Sequence, residues 1–556
     1  MSKTNGRPTK EQPYGEGHIL KEHEYAKKER DNINLFDISE SAITNKGMVI
    51  GRTYESNRVL GLNMEHGLNR CSATIAPPGG GKTRAVIMNM ISSFAKSGHS
   101  MVIMDPKGSI LKMAAAWLKG KYGYNIQVTD YKHQKNSNSW DMLGGCDSLV
   151  TAQEFVDFFM AFSGESDPYF DGVVSNFLKV LCMFVKETYP EGKRNFGEVR
   201  KLIGLDIAEI QNILEEALLS EDNKKKKWAT AYTIFKNSGN AIPSAISGLG
   251  NRTQIWDIPE IYDITSVDEI DMTLIAKEKT ATFICVPDTK KTYNSISSTL
   301  VACIMEKIFD YADNTPDEKT DVPVEIIIDE FPTLGKVKDI EDKFATGRSR
   351  DIGIHIVVQN IPQMYEVYGE NLTENILSNC EYIIIMSTNS PTTGDYTEKL
   401  FGKTTTEVRS KSYTNTGSVL VREREVAEGE SKNATSILYG YNLMKLEDDL
   451  MCLKVKGMDP ILVRKMDISE NPEALDMYKV DSSELIPPWR IEKEPELNII
   501  NKYPVNNQNL SFSAVPIEDF LLWVYSNKSK SREEIKNSNK YGNQRDSLIA
   551  ERKRFS

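Results

Sequence analysis

The chain has 556 residues, more than one hydrophobic core usually supports, so two or three folded units with tails are expected. A net charge of −11 excludes a surface that coats duplex DNA indiscriminately and leaves room only for a focal basic groove or pore. The seven cysteines show no C-x-x-C spacing and no histidine cluster nearby, so they indicate neither a zinc site nor a disulfide framework and read as reduced, mostly buried thiols of a cytoplasmic protein.

Residues 1–60 read as a polar leader with one strand-like segment, Gly47 to Gly51, and room for one ordered hairpin. Neither a signal-peptide core nor a run of roughly 18 to 20 apolar residues is found, so the chain reads as soluble, without a transmembrane helix. A short apolar run, Cys71 to Ile75, leads into Ala76-Pro77-Pro78-Gly79-Gly80-Gly81-Lys82-Thr83, followed by helical spacing from Ala85 to Phe94. Strand, Gly-rich loop and helix in this order make a phosphate cradle. Glycines let successive N–H groups turn toward one anion, Lys82 adds a charge for the outer phosphates, and the Thr83 hydroxyl can ligate Mg²⁺. The ligand expected is ATP or another nucleoside triphosphate. The pattern G-x-x-x-x-G-K-[ST] fails only at Ala76. A Gly-rich turn ending a strand would explain the glycines and leave the Lys82-Thr83 pair unexplained.

Ser100 to Met104 reads as a buried strand stopping at Asp105-Pro106-Lys107-Gly108, and a second helix and the strand Asn125 to Thr129 follow. This alternation predicts an α/β fold with a mostly parallel sheet. Residues 151–272 change texture, with helix-spaced Ala152 to Ser163, Val173 to Thr188 and Ile207 to Leu219 and hardly any strand signal, as expected of an inserted all-α domain. Its charged stretches Lys224 to Lys227 and Asp206 to Glu216 read as solvated faces or as binding surface. Strands return at Ala281 to Val286, Val324 to Ile328, Ile354 to Val358 and Tyr382 to Met386, so residues 61–150 and 273–470 are predicted to form one NTPase domain in two parts. Residues 471–556 form an irregular extension containing Pro487, Pro488, Pro495 and Pro504. Its Lys/Arg-rich tail, Lys528 to Arg554, reads as a solvating or docking segment.

A phosphate loop needs an acidic partner, and Ile326-Ile327-Ile328-Asp329-Glu330 provides one at a strand C-terminus, where α/β sheets place ligands. Asp329 suits Mg²⁺ and Glu330 suits polarising the attacking water. The alternative is a strand capped by solvated acids. Gln359 ends the next strand and suits sensing the γ-phosphate or simple surface exposure. Arg348 and Arg350, in Ala345-Thr346-Gly347-Arg348-Ser349-Arg350, can either reach a neighbouring subunit's phosphates as a trans arginine finger or stabilise a helix C-terminus.

The series Asp329-Glu330-Phe331-Pro332-Thr333-Leu334-Gly335-Lys336, then Ala345 to Arg350, then Gln359, resembles the TraG-like type IV coupling proteins, the conjugation ATPases of type IV secretion. Asp105-Pro106-Lys107-Gly108, Asp167-Pro168-Tyr169-Phe170, Pro287-Asp288 and Leu400-Phe401-Gly402 agree in order, and the similarity spans roughly residues 60 to 470. The resemblance implies a RecA-like P-loop domain of the HerA/FtsK superfamily, interrupted by an all-α domain and assembled as a homohexamer. It implies that ATP and Mg²⁺ bind at Lys82 and Thr83, that Asp329 and Glu330 are the metal and water-activating carboxylates, that Gln359 is the sensor, and that Arg348 or Arg350 acts across the subunit interface. Three departures stand out: Ala76 for the usual glycine, Ser109 for the usual glutamate after Asp-Pro-Lys-Gly, and the absence of the family's N-terminal transmembrane helices from this sequence.

The resemblance further implies a motor that moves single-stranded DNA, with its bound relaxase, into a type IV secretion channel. Such a protein is cytoplasmic and peripheral at the inner face of the cell membrane; either it reaches the membrane through a separate membrane-anchor protein, or the anchor was lost or removed. Lys107, Lys336 and Lys338 are candidate pore contacts or plain solvated lysines. A DNA pump for segregation or packaging, and a nucleotide-binding recruitment platform for protein cargo, are the alternatives.

Overall fold

The computed structural model describes residues 17–25, 33–36, 47–64, 69–161, 168–219, 226–287, 293–416 and 423–480. The basic tail Lys528 to Arg554, the prolines beyond 480, Asp167, Asp288 and Lys224 lie outside the described residues, as does most of the leader. The chain divides into two compact units, residues 1–93 with 353–474 and residues 94–352 with 475–556.

The fold is α/β, with parallel strands in both units. In chain order the strands are β1 (Ile33–Phe36), β2 (Gly47–Thr53), β3 (Val59–Asn63), β4 (Ser72–Ile75), β5 (Ser100–Met104), β6 (Asn125–Asp130), β7 (Thr280–Cys285), β8 (Val324–Ile328), β9 (Ile352–Val358), β10 (Tyr382–Ile385), β11 (Lys403–Thr416), β12 (Glu423–Ser436), β13 (Leu450–Val455) and β14 (Ile461–Arg464).

In the unit built on residues 94–352 the strand order is β8-β5-β7-β6, all parallel. Every residue of β5, β7 and β8 is buried, as parallel strands covered on both faces should be, which is why they read in the sequence as mostly apolar runs. One exception is Glu325, fully buried in β8, whose Oε1 lies 2.8 Å from His99 Nδ1. Between β6 and β7 the described chain is helical, including Leu149–Ala161, Pro168–Thr188, Ile207–Leu219 and Ile242–Thr253. These helices carry their own aromatic core. The Phe196 ring centroid lies 5.4 Å from that of Phe159 and 4.5 Å from that of Trp256, and Phe177 stacks on Phe235 at 4.4 Å. Each such pair contributes about 1 kcal/mol beyond area burial.

In the unit built on residues 1–93 and 353–474, β4 lies between β10 and β9, parallel to both. On the far side of β10 the strands run antiparallel through β13, β14, β2 and β3 to β1. The β2–β3 hairpin answers to the one expected around Gly47 to Gly51, whereas β13 and β14 were not expected, β14 having four residues and only two register pairs with β2. β11 and β12 form a separate antiparallel ribbon. No described helix is long and apolar enough to cross a membrane.

Candidate functional site

The Gly-rich octapeptide leaves β4 at Ile75, and its first residue continues the ladder, Ala76 N–H donating to the Val358 carbonyl at 2.9 Å. Ala76 is fully buried. Pro77 to Gly80 turn, the Gly80 N–H donating to the Pro77 carbonyl at 3.0 Å. Gly79 and Gly81 have φ of 79° and 83°, left-handed values that glycine adopts at no steric cost. A Cβ at either would meet nothing within 4 Å, so backbone conformation rather than space calls for glycine there. Ala85 N–H then donates to the Gly81 carbonyl at 2.8 Å, and Thr83–Ile87 wind as a π-helical turn that continues as the helix Met88–Ser97. Lys82 is buried and Thr83 half-buried at this helix start. The first N–H groups of a helix have no intrahelical partner, which suits the loop to an anion.

Three contacts from the segment after β14 hold this loop and helix, and they had no signal in the sequence. Lys465 Nζ donates to the Gly80 carbonyl at 2.9 Å. Arg84 Nε and Nη2 donate to Asp467 at 2.6 and 2.5 Å, a bidentate pair that holds the Asp467 carboxyl well below the usual carboxylate range. Asn89 Nδ2, one turn further, donates to the Met466 carbonyl at 2.8 Å. Gln359 follows β9 and, because Ile75 and Val358 are register partners, sits at the same strand edge as Ala76. It is half-buried, with Gln363 Nε2 at 3.5 Å from its Oε1, and the adjacent Asn360 caps the helix Ile361–Ser378.

The acidic pair lies in the other unit. Asp329 and Glu330 leave β8 buried, at 6% and 7% exposure, and Glu330 adopts φ 57°, ψ 47°, a left-handed conformation that is uncommon outside glycine. Thr333 braces this turn, its Oγ1 and N–H both donating to the Glu330 carbonyl at 2.8 Å. Beside them, Asp105 ends β5 and accepts the Leu111 N–H at 2.9 Å, tying the carboxylate to the start of the helix Ser109–Tyr122. Burial, with the Asp329 charge adding to it, pushes Asp105 up to about 6. Two buried carboxylates whose charges oppose each other suit a hard divalent cation, and Mg²⁺ commonly takes one or two carboxylates with water and phosphate oxygens completing its shell. Exposed Lys107 lies 3.8 Å from Glu330.

Arg348 and Arg350 share the 3-10 turn Gly347–Arg350, where a Cβ on Gly347 would approach the Ile352 carbonyl at 2.9 Å. They differ in environment. Arg350 donates to both Asp313 oxygens at 2.6 and 3.0 Å and lies 5.4 Å over the Phe309 ring, whereas Arg348 is exposed. Lys338 pairs with Asp157 at 2.8 Å, and Lys336 is half-buried.

Residues 31–473 match the family described as Type IV secretory system Conjugative DNA transfer. The chain is 20% identical over 434 residues to Protein VirD4 of Rhizobium rhizogenes, covering 76% of this chain and 61% of that protein. It is 23% identical over 406 residues to a probable conjugal transfer protein TraG of Sinorhizobium fredii, covering 69% of this chain and 60% of that protein. It thus spans about three fifths of each of these two relatives. Among solved structures, the bacterial conjugative coupling protein TrwBdeltaN70 superposes with a TM-score of 0.56 at 15% identity, covering 85% of this chain and 99% of that one. TrwB in complex with ADP and Mg²⁺ superposes with a TM-score of 0.51 at 15% identity, covering 72% and 85%. At these identities the superpositions show a shared fold.

Proposed function

Because the chain belongs to the type IV secretory system conjugative DNA transfer family, we propose that it is an ATP-hydrolysing motor coupling single-stranded DNA, with a bound relaxase, to a type IV secretion channel. The observation that carries this reading is the phosphate loop, where two left-handed glycines and a helix start surround buried Lys82. In this reading the loop residues Ala76 to Thr83 hold the triphosphate, the N–H groups and Lys82 offsetting its charge. Mg²⁺, when bound, neutralises phosphate charge as it develops, and Thr83 and Asp329 are the residues to hold it. Glu330 takes the proton of the attacking water, and Gln359 orients that water or senses the γ-phosphate. Arg348 or Arg350 reaches the neighbouring subunit's nucleotide in a homohexamer. Residues 151–272 act as an all-α insertion, and the ring sits at the inner face of the membrane through a separate anchor protein. That TrwB was crystallised with ADP and Mg²⁺ supports ATP and Mg²⁺ as ligands here. The family match favours conjugative cargo over segregation or packaging.

The test is turnover. Lys82→Ala should reduce ATP hydrolysis at least ~100-fold with an unchanged circular dichroism spectrum, and single-stranded DNA should stimulate the wild type. Turnover indifferent to DNA would count against translocation.

A further inference from the structure

Lys465 belongs to no motif, yet its ammonium reaches the glycine run of the phosphate loop. The Gly80–Gly81 peptide is flanked by glycines whose φ can take either sign, and Gly79 and Gly81 have no neighbour within 4 Å of a Cβ position. A peptide in such surroundings can flip at low steric cost. Lys465 Nζ holds its carbonyl at 2.9 Å. No described peptide bond is cis, and in a planar trans peptide the N–H points opposite to the C=O. With the Gly80 oxygen turned to Lys465, the Gly81 N–H is directed to the other side. A charged donor on the carbonyl also polarises the N–H of the same peptide and makes it a better donor to an anion.

The lysine is itself held. Its N–H donates to the Asp449 carbonyl at 2.7 Å, while the neighbouring Arg464 pairs with the Asp449 carboxylate at 2.5 Å. Two residues on, Asp467 grips Arg84 from the helix that follows the loop. The ammonium is therefore delivered from a braced strand end, half-buried, with Asp448 and Asp449 supporting its charge against the cost of burial.

We propose that Lys465 is a positioning residue of the phosphate loop, locking the Gly80–Gly81 peptide so that the Gly81 N–H is presented to the nucleotide phosphates. This rests on the nucleotide-binding reading of the loop. Lys465 acts through Gly80, so it serves diphosphate and triphosphate alike.

Equilibrium binding of ADP and of a non-hydrolysable ATP analogue to the full chain tests it, with Lys465→Met and Lys465→Arg beside the wild type. Lys465→Met should weaken both nucleotides ~10-fold and raise KM for ATP with kcat within about twofold, and Lys465→Arg should recover most of the affinity. Wild-type affinity in Lys465→Met overturns the proposal, and so does a loss confined to the triphosphate analogue, which would put the ammonium on the γ-phosphate instead. A wild-type protein that binds neither nucleotide overturns the nucleotide reading itself. If Lys465→Met lowers the melting midpoint of the nucleotide-free protein, Lys465→Ala with and without propylammonium decides. Amine-dependent recovery of ADP affinity supports the positioning role, and its absence overturns it.

Discussion

Asp105 is ionised at neutral pH against the cost of its burial. Desolvation, helped by the Asp329 charge, raises its carboxyl from an ordinary 3.8 to about 6, while the Leu111 N–H pulls the other way. A folded-state pKa above the unfolded one means the folded form binds its proton more tightly. The stability this contributes is fully present below pH ~4 and is lost as the pH rises toward 6, roughly 3 kcal/mol over that window. Asp105→Asn removes the ionisation and keeps an acceptor for Leu111. It should flatten the fall in stability between pH 4 and 6 and raise the melting midpoint at pH 7.5 by several degrees, read by calorimetry. Asp141, raised by burial to about 7, and Asp268, raised by burial to about 6, titrate nearby, so the difference between variant and wild type is the quantity to follow. Equal slopes in the two proteins would mean Asp105 does not carry this cost. The stability sacrificed at Asp105 sits in the same unit as Asp329, as expected where buried charge serves a ligand rather than the fold.

The segment after β14 works as a brace for the helix that follows the phosphate loop. Asp467 accepts Arg84 twice and also the Ser469 N–H at 2.9 Å, while Asn471 Nδ2 donates to Asn89 Oδ1 at 2.9 Å. Arg84 and Asp467 side chains are 51% and 35% exposed, so solvent screening limits their pair to about 1 kcal/mol, and losing the Asp467 cap on the short 3-10 turn Ile468–Glu470 adds about as much. Asp467→Ala should therefore cost about 2 kcal/mol in urea unfolding at pH 7. Because the folded Asp467 pKa is depressed, chiefly by its bond to Arg84, this contribution is present above pH ~4 and is lost only as pH falls through the lower folded value. The gap between variant and wild type should persist at pH 4.5, and its early closure would show the pair to be weaker than its geometry. None of this brace was legible in the sequence: Lys465, Asp467 and Asn471 lie in a polar stretch without period, and their partners are more than 370 residues away. The strands β5, β7, β8 and β9 were legible because parallel burial leaves mostly apolar runs, interrupted at Thr282, Glu325 and His355. β13 and β14 were missed because short antiparallel strands resemble any apolar stretch between turns. The strand, loop and helix order around Ala76 to Thr83 was legible because φ > 0 calls for glycine, whereas the ion pair that separates Arg350 from Arg348 depends on Asp313, a residue with no signal of its own.

At the scale of the whole assembly, the two arginines make the ring hypothesis testable. A trans finger must leave its own subunit, and Arg350 would have to give up both Asp313 bonds and its place over Phe309 to do so. Arg348 is exposed where Arg350 is half-buried, and with Arg348 taken as the finger, Arg350→Ala should lose about 1 kcal/mol of stability and keep most of its turnover. Arg348→Ala should fold normally and lose turnover by about 10³-fold, the usual contribution of an arginine finger. Mixing separates action in trans from action in cis. Lys82→Ala subunits lack a competent loop but keep Arg348, and Arg348→Ala subunits keep the loop. Each should be inactive alone, yet co-assembled rings contain interfaces where an intact loop faces an intact arginine, and ATP hydrolysis should return to a sizeable fraction of the wild-type rate. If Arg348 served its own subunit's nucleotide, no mixed ring would contain a complete site and turnover would stay at the level of the separate variants. Recovery that disappears on dilution, together with the loss of the oligomer by light scattering, would tie the chemistry to the ring.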